Sequence, residues 1–216
     1  MQHITDRAEK IGLGDRVDHE LIELTQLVRK SFPSRQDLTI AQIAPGNNPL
    51  HVAAIVALAQ KIVLFDLASS SQQEGPYYTL LDNARQYYPR LTDELRAKIE
   101  DRIGYFEQTP VYHDLDLVFM QDFGKQLWAQ KALEDVRTKQ GAVMLVESDA
   151  GLPRKYGAMI ADLRLSAEYY VFSQKESLLC PVSATNITEV YEFFHELNGS
   201  YAGRTRACLV LKNPVI

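Results

Sequence analysis

Cysteine is scarce in this chain, with 2 among 216 residues, Cys180 and Cys208. Two isolated cysteines are too few for the disulfide framework of a small secreted domain or for a cysteine-based zinc site. Each is interpreted as a small buried apolar residue rather than as a nucleophile. Because such low cysteine usage is typical of a reducing compartment, we expect a cytoplasmic location.

Long apolar runs and an excess of positive charge are also lacking. No run of 18 apolar residues is present to span a membrane, and the first residues have no signal-peptide character. Lys and Arg number 23 against 28 Asp and Glu, which gives a net charge of −5. Such a net charge argues against a protein that binds nucleic acid through electrostatic attraction to phosphates. We therefore expect neither a membrane nor a nucleic acid as a partner.

Several familiar catalytic motifs are missing as well. The 5 histidines show no HxxxH or HExxH spacing, so no metal site is predicted. There is no G-x-S-x-G nucleophile elbow and no G-x-x-x-x-G-K-[ST] phosphate loop. These absences remove the commonest hydrolase interpretation of an α/β chain and the P-loop nucleotidase interpretation.

The chain does contain a strand–turn–helix pattern over residues 38–59. An apolar run ends at a turn containing Gly46, and an alanine-rich helix with Asn48 as its N-cap follows. A second apolar run, residues 61–66, ends on Asp66, about 20 residues after Gly46. In a nucleotide-binding βαβ unit this spacing places a carboxylate beside the ribose. The alternative is a βαβ unit that binds nothing, in which Asp66 only caps a loop.

The turn itself narrows the choice of ligand. A dinucleotide site uses G-x-G-x-x-G because backbone N–H groups approach a pyrophosphate, whereas Pro45 has no N–H to offer. A ligand with an adenosine but no phosphate suits this turn better. Here the chain resembles the class I S-adenosylmethionine-dependent methyltransferases, whose first motif runs acid-x-Gly-x-Gly-x-Gly. Gln42 takes the place of the acid, Gly46 keeps the central glycine, and Ala44 and Asn48 replace the outer two.

The resemblance implies S-adenosylmethionine as the cofactor, bound over the first two strands. Asp66, with Leu67 next to it, is implied to hold the ribose. The turn formed by residues 44–48 is implied to lie beneath the methionine and the ribose. The residues of this part of the implied site are Gln42, Ala44, Pro45, Gly46, Asn47, Asn48, Asp66 and Leu67.

Two further strands complete the implied cofactor site. Glu107 or Gln108, at the exit of a third strand that begins at Ile103, is implied to flank the adenine. Asp122 and Phe123, at the end of a fourth strand, are implied to close the far side of the site. An acid at the carboxyl end of a strand in an open α/β sheet is well placed for a ligand. Asp122 can equally serve as the N-cap of the helix that follows.

No catalytic residue is assigned from the sequence. Methyl transfer from an activated sulfonium needs mainly alignment of the reactants and, for some acceptors, a base. The candidates for such a base, all expected at the carboxyl end of the sheet, are Asp122, Glu147, Asp149 and His113.

The predicted fold class is α/β, a three-layer Rossmann-like sandwich with helices on both faces of the sheet. The sheet is predicted to have seven strands, mostly parallel, with the last one antiparallel, in a single methyltransferase-like domain over residues 1–216. Residues 1–35 are predicted to be a helical lead-in, and residues 67–102 a helical insertion that can act as a lid. Its tyrosine-rich part, residues 77–102, is a candidate homo-oligomer face. Residues 149–156 are predicted to form a polar loop.

Three functions are consistent with these patterns. The first is an S-adenosylmethionine-dependent methyltransferase acting on a small molecule. The second is a methyltransferase fold without catalysis that serves as a binding or assembly module, suggested by the replaced residues of the first motif. The third is a nicotinamide-dependent oxidoreductase, which rests only on the spacing between Gly46 and Asp66.

Overall fold

The structure is a computed structural model, and its chain divides into two compact units, residues 1–110 and 111–216. It describes residues 26–35, 37–43, 59–66, 93–103, 106–121, 125–147, 152–172, 177–182 and 206–214. Each unit is described below by itself.

The first unit contains a three-stranded parallel sheet. Its strands are β1 (Leu38–Ile43), β2 (Ala59–Asp66) and β3 (Ile99–Ile103), and their order is β3-β2-β1. Both strand pairs are parallel. A helix over residues 26–31 (α1) and a short helix, α2 (Asp93–Arg96), lie in the same unit. The central strands are nearly continuous apolar runs because parallel strands are buried on both faces.

The second unit begins with two parallel strands, β4 (Leu117–Gln121) and β5 (Ala142–Glu147), joined by helix α3 (Gln126–Asp135). Helix α4 (Leu152–Asp162) follows β5. The remaining strands are β6 (Ser166–Phe172), β7 (Ser177–Val182) and β8 (Arg206–Lys212). The strand order in this unit is β4-β5-β8-β6-β7, and β8 runs antiparallel to both β5 and β6.

The return from α3 to β5 depends on a glycine. The backbone N–H of Gly141 donates to the carbonyl of Val136, and the N–H of Ala142 donates to the carbonyl of Asp116. A Cβ at position 141 would lie 2.2 Å from the Asp116 carbonyl oxygen, which is closer than real Cβ atoms approach. Only glycine therefore lets the start of β5 pass this close to the residue before β4.

Most predicted strands are present, and the last strand is antiparallel as expected. Two strands differ from the prediction. The third strand begins at Ile99 rather than Ile103, so residues 99–102 are strand and not part of a helical insertion. The described strands number eight rather than seven, because β7 was not predicted. β7 contains Pro181, which has no N–H to donate and suits a strand that pairs only with β6 among the described strands.

The polar loop predicted for residues 149–156 was wrong from Leu152 onward, since α4 begins there. The buried residues of this helix are Leu152, Tyr156, Met159 and Ile160. Their spacing of four, then three, then one is that of one helix face. This periodicity was not recognised in the sequence because the residues at positions 154 and 155 are charged.

Other expectations lie outside the described residues. These are residues 1–25 of the lead-in and residues 67–92 of the insertion, with most of its tyrosine-rich part. The single domain over residues 1–216 stays a prediction. Among the described helices, none combines the length and the apolar character that crossing a membrane requires.

Candidate functional site

The candidate site lies at the carboxyl ends of the strands of the first unit. Because β1, β2 and β3 are parallel, their carboxyl ends share one edge, where open α/β sheets bind ligands. In register, Gln42 of β1 pairs with Leu64 of β2, and Asp66 of β2 pairs with Ile103 of β3. Gln42, Asp66 and the exit of β3 therefore come to the same edge, as the sequence predicted.

Gln42 is the most unusual residue at this edge. It is 1% exposed, and neither its Oε1 nor its Nε2 has a hydrogen-bond partner among the described residues. By strand alternation it follows Leu38 and Ile40 on one face of β1, and its neighbour across the sheet is Leu64. All three neighbours are buried apolar residues. Leaving a polar group unsatisfied in such surroundings costs about 1–3 kcal/mol, so this amide fits a ligand that completes its hydrogen bonds.

A 3-10 turn, Phe106–Gln108, follows β3 and fixes the third part of the edge. The Phe106 ring is 2% exposed and packs edge-to-face on Phe65 of β2, with centroids 5.3 Å apart. The turn is closed by Thr109, whose backbone N–H and Oγ1 both donate to the Phe106 carbonyl at 3.2 and 2.7 Å. This anchoring places Glu107 and the exposed Gln108 directly after β3. Phe106 itself was not singled out by the sequence, although an aromatic residue directly before two polar candidates was a usable signal.

The other predicted site residues fall into two groups. Asp66 and Glu147 are the last residues of β2 and β5, and for both only the backbone position is described. The residues that lie outside the described part of the chain are Ala44, Pro45, Gly46, Asn47, Asn48, Leu67, Asp122, Phe123 and Asp149.

Two expectations for the second unit need correction. His113 lies in an exposed turn before Leu117, at the amino end of β4. The prediction that it sits at the carboxyl end was wrong, because the fourth strand begins only after this turn. The N-cap of α3 is Lys125 and not Asp122, and no side chain caps that helix.

The first turns of α3 and α4 carry paired cations and aromatic rings. The Lys125 ammonium lies 4.9 Å from the centroid of the Trp128 ring, and the Lys155 ammonium 5.4 Å from that of Tyr156. The Gln126 side-chain amide donates to the Lys155 carbonyl and joins the two helix starts. Both helices begin after the carboxyl ends of parallel strands, the edge at which open α/β sheets bind ligands.

One buried carboxylate of the second unit lies at the end of α3. Asp135, at the end of α3, accepts the backbone N–H of Tyr112 at 2.7 Å and the Lys131 ammonium at 2.8 Å. Tyr112 belongs to the segment that leads into the amino end of β4. This cluster therefore fastens α3 to that segment, and we assign it to stability and not to the site. Among the described residues no group of three or more His, Cys, Asp or Glu is placed to hold a metal ion.

Comparison with known proteins identifies the fold. No protein-family model matches the chain, and no curated protein matches it significantly. A tRNA methyltransferase from Aquifex aeolicus matches with a TM-score of 0.59 and 11% identity, over 96% of this chain and 76% of that one. An S-adenosylmethionine-dependent O-methyltransferase from Thermotoga maritima gives 0.57 and 10%, over 90% and 66%. A geranyl diphosphate methyltransferase solved with S-adenosylmethionine gives 0.54 and 14%, over 94% of each chain.

These matches show that the chain has the fold of the class I S-adenosylmethionine-dependent methyltransferases. The predicted α/β Rossmann-like fold class is thereby confirmed. Because the identities are only 10 to 14%, the structural matches establish the fold alone, and the activity has to be argued from the site.

Proposed function

We propose that this protein binds S-adenosylmethionine and transfers its methyl group to a small-molecule acceptor. The observation that carries the proposal is the edge formed by β1, β2 and the 3-10 turn. There a buried amide without a described partner, Gln42, is in register with Leu64, two residues before the acid that ends β2. Proteins of the same fold supply independent support, since one was solved with this cofactor bound.

Each strand contributes one element of cofactor binding in this proposal. Asp66 accepts hydrogen bonds from the ribose hydroxyls, because an acid at the end of β2 has the position and the charge for it. Glu107 or Gln108 flanks the adenine after β3. Gln42 and the turn of residues 44–48 hold the amino-acid end and the ribose. Asp122 and Phe123 remain assigned to the far side of the cofactor.

The chemistry asked of the protein is modest. When bound, S-adenosylmethionine supplies a methyl group whose carbon bonds to the acceptor nucleophile while the carbon–sulfur bond breaks and its electron pair stays on sulfur. The chain has to align the acceptor with that carbon and exclude water from the site. An acceptor that carries a proton on its nucleophile must pass it to a base or to solvent. Glu147, at the end of β5, and Asp122 and Asp149 remain the proposed bases, and His113 is withdrawn.

The acceptor is proposed to be a small molecule because the chain carries a net charge of −5, which opposes a polyanion. The fold does not decide this question. Its relatives act on acceptors as different as tRNA and geranyl diphosphate, so the earlier exclusion of nucleic acid is not supported. Incubation with methyl-labelled cofactor, total tRNA and a small-molecule extract separates the two classes by the fraction that carries label.

Substitution of Asp66 tests the proposed site directly. Asp66→Ala is expected to weaken binding of S-adenosylhomocysteine about tenfold to a hundredfold, because hydrogen bonds to a charged group contribute about 1.5–3 kcal/mol. Asp114→Ala, which removes an exposed acid in the turn before β4, is the matched control and should leave affinity unchanged. Equal affinity of the wild type and Asp66→Ala, measured by calorimetry, would remove the ribose assignment.

The binding-module alternative keeps one specific argument. Gln42 stands where the first motif of the methyltransferases has an acid, and Ala44 and Asn48 stand where that motif has glycines. A folded protein that binds neither S-adenosylmethionine nor S-adenosylhomocysteine would favour this alternative. In that case a group other than the cofactor would have to form the hydrogen bonds of the Gln42 amide.

A further inference from the structure

We propose that Trp128 binds the methyl acceptor by donating its indole N–H to an anionic oxygen of that molecule, a carboxylate or a phosphate. The Lys125 ammonium beside the ring pairs with the same negative charge. The inference rests on the proposed function and adds the residues that hold the acceptor and the charge that the acceptor carries. The acceptor is thus a small organic anion.

The indole N–H of Trp128 is a buried donor without an acceptor. Its Nε1 is shielded from solvent and has no hydrogen-bond partner among the described residues, although the ring as a whole is only partly buried. Buried polar side-chain atoms in folded proteins are nearly always hydrogen-bonded, so an unpartnered one marks a place where a ligand or an ordered water belongs. Because an indole can only donate, the missing partner must be an acceptor.

The position of Trp128 on α3 places this donor towards the ligand-binding edge. Trp128 is the third residue of α3, which begins after the carboxyl end of β4. Lys131 and Asp135 follow it by three and seven positions and therefore share its flank of the helix. Asp135 accepts the N–H of Tyr112, so this flank faces the segment that leads into β4. Trp128, about two turns earlier on the same flank, is thereby placed towards the carboxyl end of β4, where open α/β sheets bind ligands.

The charges around the ring select an anion. The Lys125 ammonium lies 4.9 Å from the centroid of the Trp128 ring, so a group that accepts from Nε1 comes close to a positive charge. The first turn of α3 contains no acidic residue, and no side chain caps the helix. An ionised oxygen forms stronger hydrogen bonds with such donors than a neutral one. Lys125 is exposed, and its flexible stem can move with the ligand.

The same geometry disfavours a nucleobase as the group bound here. Aromatic side chains that bind single-stranded nucleic acids offer a ring face on which a base stacks. The Lys125 ammonium covers one face of the Trp128 ring. Gln126 donates to the Lys155 carbonyl and so holds the start of α3 against α4, which fixes the backbone that carries the ring. The ring therefore presents its N–H to a ligand rather than that face.

The test uses the fact that Trp128 is the 1 tryptophan of the chain, so its indole N–H gives a single cross-peak in a proton–nitrogen correlation spectrum. The probes are benzoate and phenyl phosphate, which carry an anionic oxygen on a small ring, and benzamide, which has the ring and a neutral amide. Each is titrated into the wild type alone and into the wild type saturated with S-adenosylhomocysteine. Lys125→Met removes the ammonium, and Lys139→Met, at an exposed position beyond the end of α3, is the matched control.

We expect at least one of the two anions to move the indole proton resonance downfield and to saturate with a dissociation constant on the order of millimolar. The tighter of the two identifies the anionic group of the acceptor. Benzamide should bind about tenfold more weakly, because its oxygen is neutral. Lys125→Met should weaken the anion about fivefold, and Lys139→Met should leave it unchanged. S-adenosylhomocysteine should not displace the anion, because acceptor and cofactor occupy the site together.

Other outcomes overturn the inference. These are the absence of a shift with both anions and an equal affinity for benzamide. A resonance that already lies downfield in the ligand-free protein and ignores the probes shows that the protein itself satisfies the N–H. Displacement of the anion by S-adenosylhomocysteine shows that the anion occupies the place of the cofactor. A wild type that shows the shift but does not bind S-adenosylhomocysteine removes the proposed function, and with it the acceptor assignment, while the anion site remains.

Discussion

The Asp135–Lys131 pair allows a stability prediction whose size and pH dependence both follow from the structure. The Asp135 side chain is 0% exposed and the Lys131 side chain 10% exposed, with 2.8 Å between Oδ2 and Nζ. Burial raises the pKa of Asp135 above its ordinary value of 3.8, while the hydrogen bonds from Lys131 and from the Tyr112 N–H oppose the rise. Lys131→Met keeps most of the apolar stem but leaves the carboxylate with the Tyr112 N–H alone.

Breaking a buried pair by removing one partner costs about 3–5 kcal/mol. We expect Lys131→Met to lower the free energy of unfolding by about 3 kcal/mol at pH 7. This is the lower end of that range, because the carboxyl group of Asp135 can take up a proton when the lysine is absent. Removing the lysine raises the pKa of Asp135 further, since both of the lysine's effects lower it. A folded-state pKa above that of the unfolded chain gives stability that is complete at low pH and lost as the pH rises through the raised pKa.

The loss of stability caused by Lys131→Met should therefore become smaller as the pH is lowered from 7 towards 4. Urea unfolding at several pH values measures it, with Lys139→Met, which removes an exposed lysine, as the control. Wild-type stability of Lys131→Met at pH 7 would refute the reasoning. A loss of constant size across the pH range would show that the lysine acts through packing and not through the charge of Asp135.

Further predictions concern Gly141, Phe106 and Tyr170. Gly141→Ala should destabilise the protein by about 3 kcal/mol or more, seen as a lower urea midpoint, because the new Cβ would lie 2.2 Å from the Asp116 carbonyl oxygen; a midpoint within error of the wild type contradicts this. Phe106→Leu should cost about 1 kcal/mol and also weaken S-adenosylhomocysteine, because the turn carrying Glu107 and Gln108 loses its contact with Phe65. Phe119→Leu, in buried β4, should cost a similar amount without an effect on affinity, and equal affinities for the two variants would speak against the turn's role. Tyr170→Phe should cost about 1 kcal/mol by calorimetry, since the Tyr170 hydroxyl donates to Glu168 at 2.6 Å; no loss would show that this hydrogen bond adds nothing net.

The strands that were predicted from the sequence include those buried on both faces. β1, β2, β4 and β5 are apolar runs that stop at turn residues, and such runs have few alternatives. The start of β3 was predicted four residues too late because Ile99–Ile103 contains three consecutive charged residues. β3 tolerates these charges because it is the last strand in the order β3-β2-β1 of the first unit. β7 was not predicted because it contains a proline, which argues against a strand in the middle of a sheet. The proline is tolerated because β6 is the only described strand that pairs with β7.

The candidate site was predictable in outline only. The spacing between Gly46 and Asp66 located the edge, and the register of β1 with β2 confirms that Gln42 and Asp66 reach it together. What the residue types could not show is that the Gln42 amide is buried without a described partner, since this depends on which side chains surround it. His113 was misplaced for a similar reason, because one turn decides at which end of β4 it lies.

The central claim is that this fold binds an adenosyl cofactor at the edge formed by β1, β2 and the 3-10 turn. Calorimetric titration of the wild-type protein with S-adenosylmethionine and S-adenosylhomocysteine, and in parallel with NAD, tests it most directly. We predict saturable binding of both adenosyl ligands with dissociation constants on the order of micromolar, about −8 kcal/mol, and no binding of NAD. A protein shown by circular dichroism to be folded that binds neither adenosyl ligand would contradict the claim.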